Sequence, residues 1–125
     1  MADKIKVMAV DDEPDIVKIL KISLELANYE IIEAYSGEEC LEKLEKGERP
    51  ALILLDIMMP GISGYETCEK IRKNRDLKGV KIVMLTAKGQ KGDAEEGLNA
   101  GADDYIIKPF DPYELLEQVK EILER

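Results

Sequence analysis

The chain contains no histidine and only two cysteines, Cys40 and Cys68, far apart and outside any CxxC spacing, so a zinc site has too few ligands. Both read as small core thiols rather than as a disulfide. Long apolar runs are missing as well. The longest, such as Ala51 to Leu55, fall far short of the ~20 residues that cross a bilayer, and the acidic start "MADKIK" does not resemble a secretory signal. A cytoplasmic protein with no membrane partner is expected. Basic charge is in deficit: 18 Lys and Arg against 27 Asp and Glu leave a formal net charge of −9. Such a field repels phosphate backbones, which argues against direct nucleic-acid binding. The nucleotide signatures GxGxxG and GxxxxGK[ST] are absent, as are internal repeats, low-complexity tracts and linkers.

What is present fits one folded domain over residues 1–125. The chain is 45% hydrophobic and 36% charged, an ordinary globular balance. Apolar runs recur about every 25 residues, at Ile5 to Val10, Glu30 to Tyr35, Ala51 to Leu55, Lys81 to Leu85 and Asp104 to Ile107. Short runs of this kind suit strands covered on both faces. Helical spacing lies between them. Ile16, Ile19, Leu20 and Leu24 form the first apolar face, with Pro14 in the first turn. "SGEE" opens the second helix, where Ser36 can cap and Glu39 can reach back. Tyr65, Cys68 and Ile71 share one side of the third. The fourth, around Asp93 to Asn99, has only Ala94 and Leu98 as an apolar face, so it is expected to be the least secure and the readiest to move. "DPYE" opens the last, with Asp111 as cap and Leu115, Leu116, Val119, Ile122 and Leu123 aligned behind it.

Five strands alternating with five helices, without tight hairpin signals, predict an α/β doubly wound parallel sheet with helices on both faces. In such sheets functional groups gather at the carboxyl ends of the strands. Here the first strand ends in Asp11 and Asp12, the third in Asp56, the fourth in Thr86 and the fifth in Lys108 before Pro109. Three carboxylates beside a single ammonium stay over-negative unless a hard cation joins them. Mg²⁺ suits that demand, since it prefers oxygen ligands and takes one or two carboxylates together with phosphate oxygens.

"VDDEPDI", "ILLDIMMPGISGYE", "MLTAKG" and "GADDYIIKPFDPYELL" together resemble the response-regulator receiver domains of two-component signalling, of the single-domain CheY-like kind, over essentially the whole chain. The resemblance implies a flavodoxin-like three-layer (βα)5 sandwich with strand order 2-1-3-4-5. It implies that Asp56 accepts a phosphoryl group from the phosphohistidine of a sensor histidine kinase or phosphotransfer protein. Mg²⁺, or Mn²⁺, is then held by Asp12, Asp56 and the Met58 backbone carbonyl, with Asp11 acting through water. Lys108 pairs with a phosphoryl oxygen, Thr86 donates to another, and Tyr105 takes the aromatic switch position. The Lys108–Pro109 step matches one that is cis in the family. Met58 and Lys88 occupy positions that tune phosphoryl lifetime. Such a domain is no enzyme in the ordinary sense, since it promotes only its own phosphorylation and slow autodephosphorylation, and its fourth helix, fifth strand and fifth helix carry the output to a further protein or domain.

The chain departs from one family pattern: Gln118 stands where many DNA-binding regulators of the OmpR type carry a dimer-forming arginine. A monomer or a phosphorylation-dependent dimer is expected. With no output domain in these residues, the reading is a stand-alone receiver that docks, or a receiver from a larger regulator. Two other functions are disfavoured. A flavin module needs a hydroxyl- and glycine-rich phosphate loop after the first strand, where this chain has "DDEPD". A haloacid-dehalogenase hydrolase needs a second aspartate two residues after the nucleophile, where this chain has Met58.

Overall fold

The apolar runs become strands because each has a helix to cover it, and the covering decides which runs are buried on both faces. The computed structural model describes residues 4–87 and 96–125. In chain order these form β1 (Lys6–Val10), α1 (Pro14–Leu26), β2 (Glu30–Ala34), α2 (Gly37–Glu45), β3 (Leu52–Asp56), α3 (Gly64–Lys73), a 3₁₀ turn (Arg75–Leu77), β4 (Lys81–Ala87), helical residues 96–99 (α4), β5 (Asp104–Lys108) and α5 (Pro112–Leu123). All the strand pairs are parallel, and the order is β2-β1-β3-β4-β5 as expected. The predicted Asp93 to Asn99 helix is seen only in its 96–99 part, and Ala94 lies outside the described residues.

Alternation along the strands sorts the core into two layers. Val7, Ala9, Leu52, Leu54, Val83, Leu85 and Ile106 face α1 and α5, whereas Met8, Val10, Ile53, Leu55, Ile82 and Met84 face α2 and α3. Double cover holds for β1, β3 and β4. The two edge strands depart from the expectation: β2 is buried only at Ala34, and β5 exposes Tyr105 and Ile107. At the β2 edge Lys43 Nζ donates to the Glu33 carbonyl, which occupies one acceptor that a foreign strand would otherwise seek.

Helix ends follow from their capping chemistry. Ser36 Oγ accepts from the Glu39 amide at 3.0 Å, while Glu39 Oε1 accepts from the Tyr35 amide at 2.6 Å. The reciprocal bond therefore lands one residue earlier than in a standard capping box. Asp111 Oδ1 accepts from the Tyr113 amide at 2.8 Å at the start of α5. In α1 the packed face is Val17, Leu20 and Leu24, and the predicted Ile19 is 45% exposed. The expected Leu20 and Leu24 are thus buried together with Val17, and Ile16 packs against the same layer. Cys40 and Cys68 are free and buried.

Away from the strand carboxyl ends, Arg72 ties three elements together. Its guanidinium donates to the Val80 carbonyl at 2.7 Å, the Gly101 carbonyl at 2.8 Å and Asp103 Oδ2 at 2.8 Å. Asp103 Oδ2 also accepts from the Ile82 amide at 2.8 Å. At the other end, α3 begins so close to β3 that only glycine fits. A Cβ on Gly64 would meet the Asp56 carbonyl oxygen and lie 2.8 Å from Ile57 Cα. Both are backbone atoms and cannot swing aside. Gly64→Ala is expected to lower unfolding stability by about 2 kcal/mol; a urea midpoint equal to that of the parent would refute the close approach.

Candidate functional site

The order 2-1-3-4-5 reverses direction between β1 and β3, and the carboxyl ends of those strands are where a doubly wound sheet opens a crevice. Asp56 is the last residue of β3, and Asp11 follows directly on β1. Both are buried, Asp11 to 0% and Asp56 to 5% exposure, while Asp12 is exposed. One carboxylate oxygen from each of the three lies within 4.8 Å of the others.

Lys108, the last residue of β5, reaches across the sheet edge to this cluster. Its Nζ is 2.9 Å from Asp11 Oδ2 and 3.1 Å from Asp56 Oδ1. Asp11 is held from a second side, where its Oδ1 accepts from the Glu13 amide at 3.0 Å. The Lys108–Pro109 peptide is cis. Asp11, Asp56 and Lys108 all fall on the α1 and α5 side by strand alternation, because Ala9, Leu54 and Ile106, each two residues earlier, line that layer.

Thr86 falls on the opposite side. Met84 lies in the α2 and α3 layer, so Thr86 continues that face of β4. Its hydroxyl is buried and has no hydrogen-bond partner among the described residues. A buried unpaired hydroxyl costs about 1–3 kcal/mol, which makes it a receptive donor for an additional acceptor. Tyr105, paired with Met84 in register, is 37% exposed. With Ile107, Pro109, Phe110, Glu114 and Gln118 it lines a groove of about 400 Å³ between β5 and α5.

The electrostatics follow from crowding. Burial, and then the charge of Asp11, push the Asp56 carboxyl up to about 7, and the Lys108 ammonium offsets this only in part. Burial alone would lower the Lys108 pKa, but the carboxylates of Asp11 and Asp56 outweigh it and raise it. Three acidic groups against one ammonium therefore leave a net negative pocket of hard oxygen donors. That donor set could hold a divalent cation, and among divalent ions it fits Mg²⁺ or Mn²⁺ rather than a soft-ligand metal.

The strand ends thus bring Asp11, Asp12, Asp56 and Lys108 together, with Thr86 on the adjoining β4. Met58 follows on the β3–α3 loop and is 66% exposed. Lys88 lies outside the described residues. Gln118 lines the groove beside β5, and Arg125 pairs with Asp104 at 2.8 Å and with Glu121 at 2.8 Å. Glu38 was not singled out from sequence. Its Oε2 accepts from the Ile62 amide at 3.2 Å, a contact between α2 and the β3–α3 loop that leaves no local spacing signal.

The comparisons with known proteins agree with this geometry. Residues 7–120 match the family described as response regulator receiver domain. The alkaline phosphatase synthesis transcriptional regulatory protein PhoP of Bacillus subtilis is 46% identical over 120 residues, 96% of this chain and 49% of that protein. The probable transcriptional regulator ycf27 of Pyropia yezoensis is 46% identical over 122 residues, 98% of this chain and 49% of that protein. The chain thus spans about half the length of the curated relatives it matches. Among solved structures, the CheY-like response regulator receiver domain protein of Methanospirillum hungatei JF-1 superposes with a TM-score of 0.89 at 38% identity, over 98% of this chain and 95% of that one. Chemotaxis protein CheY4 of Vibrio cholerae does so with a TM-score of 0.89 at 33% identity, over 96% and 99%. With the fold, the strand-end residues and these matches in agreement over nearly its full length, the chain belongs to the response regulator receiver domains of two-component systems.

Proposed function

We propose that Asp56 is the phosphoacceptor of this receiver. A carboxylate oxygen attacks the phosphorus of a phosphohistidine on a sensor histidine kinase or phosphotransfer protein. The O–P bond forms as the P–N bond breaks, and the imidazole nitrogen leaves with the electron pair. The carboxylates of Asp12 and Asp56 and the Met58 carbonyl would hold Mg²⁺ or Mn²⁺, with Asp11 reaching it through water, and the bound ion would supply the positive charge that lets an anionic donor approach. Lys108 holds Asp11 and Asp56 in place before transfer and pairs with a phosphoryl oxygen after it. Slow attack of water on phosphorus returns the carboxylate and inorganic phosphate.

The observation that carries this reading is the sharing of Lys108 between Asp11 and Asp56, 2.9 and 3.1 Å away, with a Thr86 hydroxyl on the adjoining β4 that has no partner among the described residues. After transfer, a phosphoryl oxygen gives that hydroxyl its acceptor. Thr86 moves toward it, Tyr105 turns into the vacated space, and the face made by α4, β5 and α5 changes shape. Lys88 and Met58 tune how long the phosphoryl group lasts. Relatives named as transcriptional regulators support control of transcription as the output, through a further domain or a docked partner, in the cytoplasm. The receiver would act there as a monomer or as a phosphorylation-dependent dimer.

Incubation with acetyl phosphate and Mg²⁺, followed by mass mapping of the labelled peptide, tests the acceptor. Label on any residue other than Asp56 rejects the assignment. The switch is tested separately. Thr86→Ala is expected to be phosphorylated like the parent yet to show a much smaller phosphorylation-induced shift of the Tyr105 amide resonance. An undiminished shift would remove Thr86 from the switch.

A further inference from the structure

The segment 57–63 follows the acceptor and is closed at its neck, where the Gly64 amide donates to the Ile57 carbonyl at 2.8 Å. Its far end needs a separate support. Ser63 Oγ caps α3 by accepting from the Glu66 amide at 3.2 Å, and Thr67 Oγ1 donates to the Ser63 carbonyl at 2.8 Å. Before Ser63, Ile62 donates its amide to Glu38 Oε2 at 3.2 Å. Gly61 adopts φ +81°, and a Cβ there would lie 3.1 Å from Glu38 Cδ. The carboxylate of Glu38 is therefore seated against the loop backbone on two consecutive residues, in a space that only glycine leaves open. The contact spans 24 residues of chain and joins the first turn of α2 to the loop that carries Met58.

We infer that Glu38 is a positioning residue for the divalent-ion site: its carboxylate braces the 57–63 loop so that the Met58 carbonyl is presented beside Asp56. This inference rests on the metal-site reading given above. A second role for Glu38 is available, because an acid in the first turn of a helix is favoured by the helix dipole. That role depends on charge, whereas the brace depends on an acceptor oxygen, and glutamine keeps the oxygen while losing the charge.

The test is Mg²⁺ titration by isothermal calorimetry on the parent, Glu38→Ala and Glu38→Gln, paired with amide hydrogen exchange at Ile62 in metal-free protein. Glu38→Ala is expected to weaken Mg²⁺ binding about fivefold, the effect of losing one net hydrogen bond, and to speed exchange at Ile62. Glu38→Gln is expected to stay within about twofold of the parent in both readouts, since its remaining oxygen still accepts from the same amide. Parent-like Mg²⁺ affinity in Glu38→Ala overturns the brace and leaves the metal site standing. Equal weakening in Glu38→Gln and Glu38→Ala assigns the effect to charge and also overturns it. A parent that binds no Mg²⁺ overturns the metal site and the brace together.

Discussion

Asp56→Asn is expected to lose all labelling by acetyl phosphate while becoming more stable than the parent at pH 8 in metal-free buffer. Both results come from one carboxylate. The amide nitrogen that replaces an oxygen is no nucleophile, so transfer stops. The stability gain follows from linkage. The Asp56 carboxyl is pushed up to about 7 from an ordinary value of 3.8. Below about pH 4 it is protonated in both the folded and the unfolded chain. As pH rises from about 4 to about 7 the unfolded chain releases its proton and the folded one keeps it, so stability falls; above that range the loss is complete. Asparagine never ionises and escapes the loss. Allowing for the forfeited pairing with Lys108 and for solvent screening at the strand ends, the gain at pH 8 is about 2 kcal/mol. At pH 4 the advantage should shrink toward zero. Undiminished labelling would mean that Asp56 is not the acceptor, and identical melting at pH 8 that it is not the crowded group.

Lys108→Met should move stability in the opposite direction. Without the ammonium, Asp11 at 0% exposure and Asp56 at 5% face each other with no described cation between them. Removing one partner of a buried pair strands the other, and here it strands two, so a loss of about 3 kcal/mol is expected at pH 8. The loss should be smaller near pH 6, where Asp56 can take up a proton. Mg²⁺ should restore more stability to this variant than it adds to the parent, since ligand binding contributes about 2.7 kcal/mol at a hundredfold excess over Kd and the variant has the larger charge deficit to fill. Thermal melts with and without Mg²⁺ decide the matter. A variant that melts like the parent at pH 8 would show that Lys108 is not holding the cluster.

Much of this architecture was readable beforehand, and the misreadings have physical causes. The strand-end residues were found because an apolar run that stops at an acid, a hydroxyl or an ammonium marks both a strand and its exposed end. The sequence ends the fourth strand at Thr86, and the ladder runs one residue further, through Ala87 opposite Lys108, because backbone pairing does not end where hydrophobicity does. In α1 the expected face holds at Ile16, Leu20 and Leu24, and fails only at Ile19, where Val17 packs instead. Ile19, Ile22 and Leu26 repeat at helical spacing as cleanly as Val17, Leu20 and Leu24 do, and only the direction of the sheet separates the exposed row from the packed one. Glu38 could not be read at all. Its neighbour Glu39 satisfies the local capping pattern, while the partner of Glu38 lies on a loop that only the folded chain brings near. Arg72 was silent for the same reason, since its acceptors come from two separate places in the chain, Val80 and the stretch from Gly101 to Asp103.

The period-two alternation has a consequence for how such a molecule can diverge. Asp11, Asp56 and Lys108 continue the rows of one face of a partition a single sheet thick, and Thr86 continues a row of the other. On the proposed function, drift in the first compartment would reset how fast a message is written and erased. Drift in the second would alter who reads it, and Thr86, whose hydroxyl is proposed to reach the phosphoryl group, would be the one point at which the two sides must be retuned together.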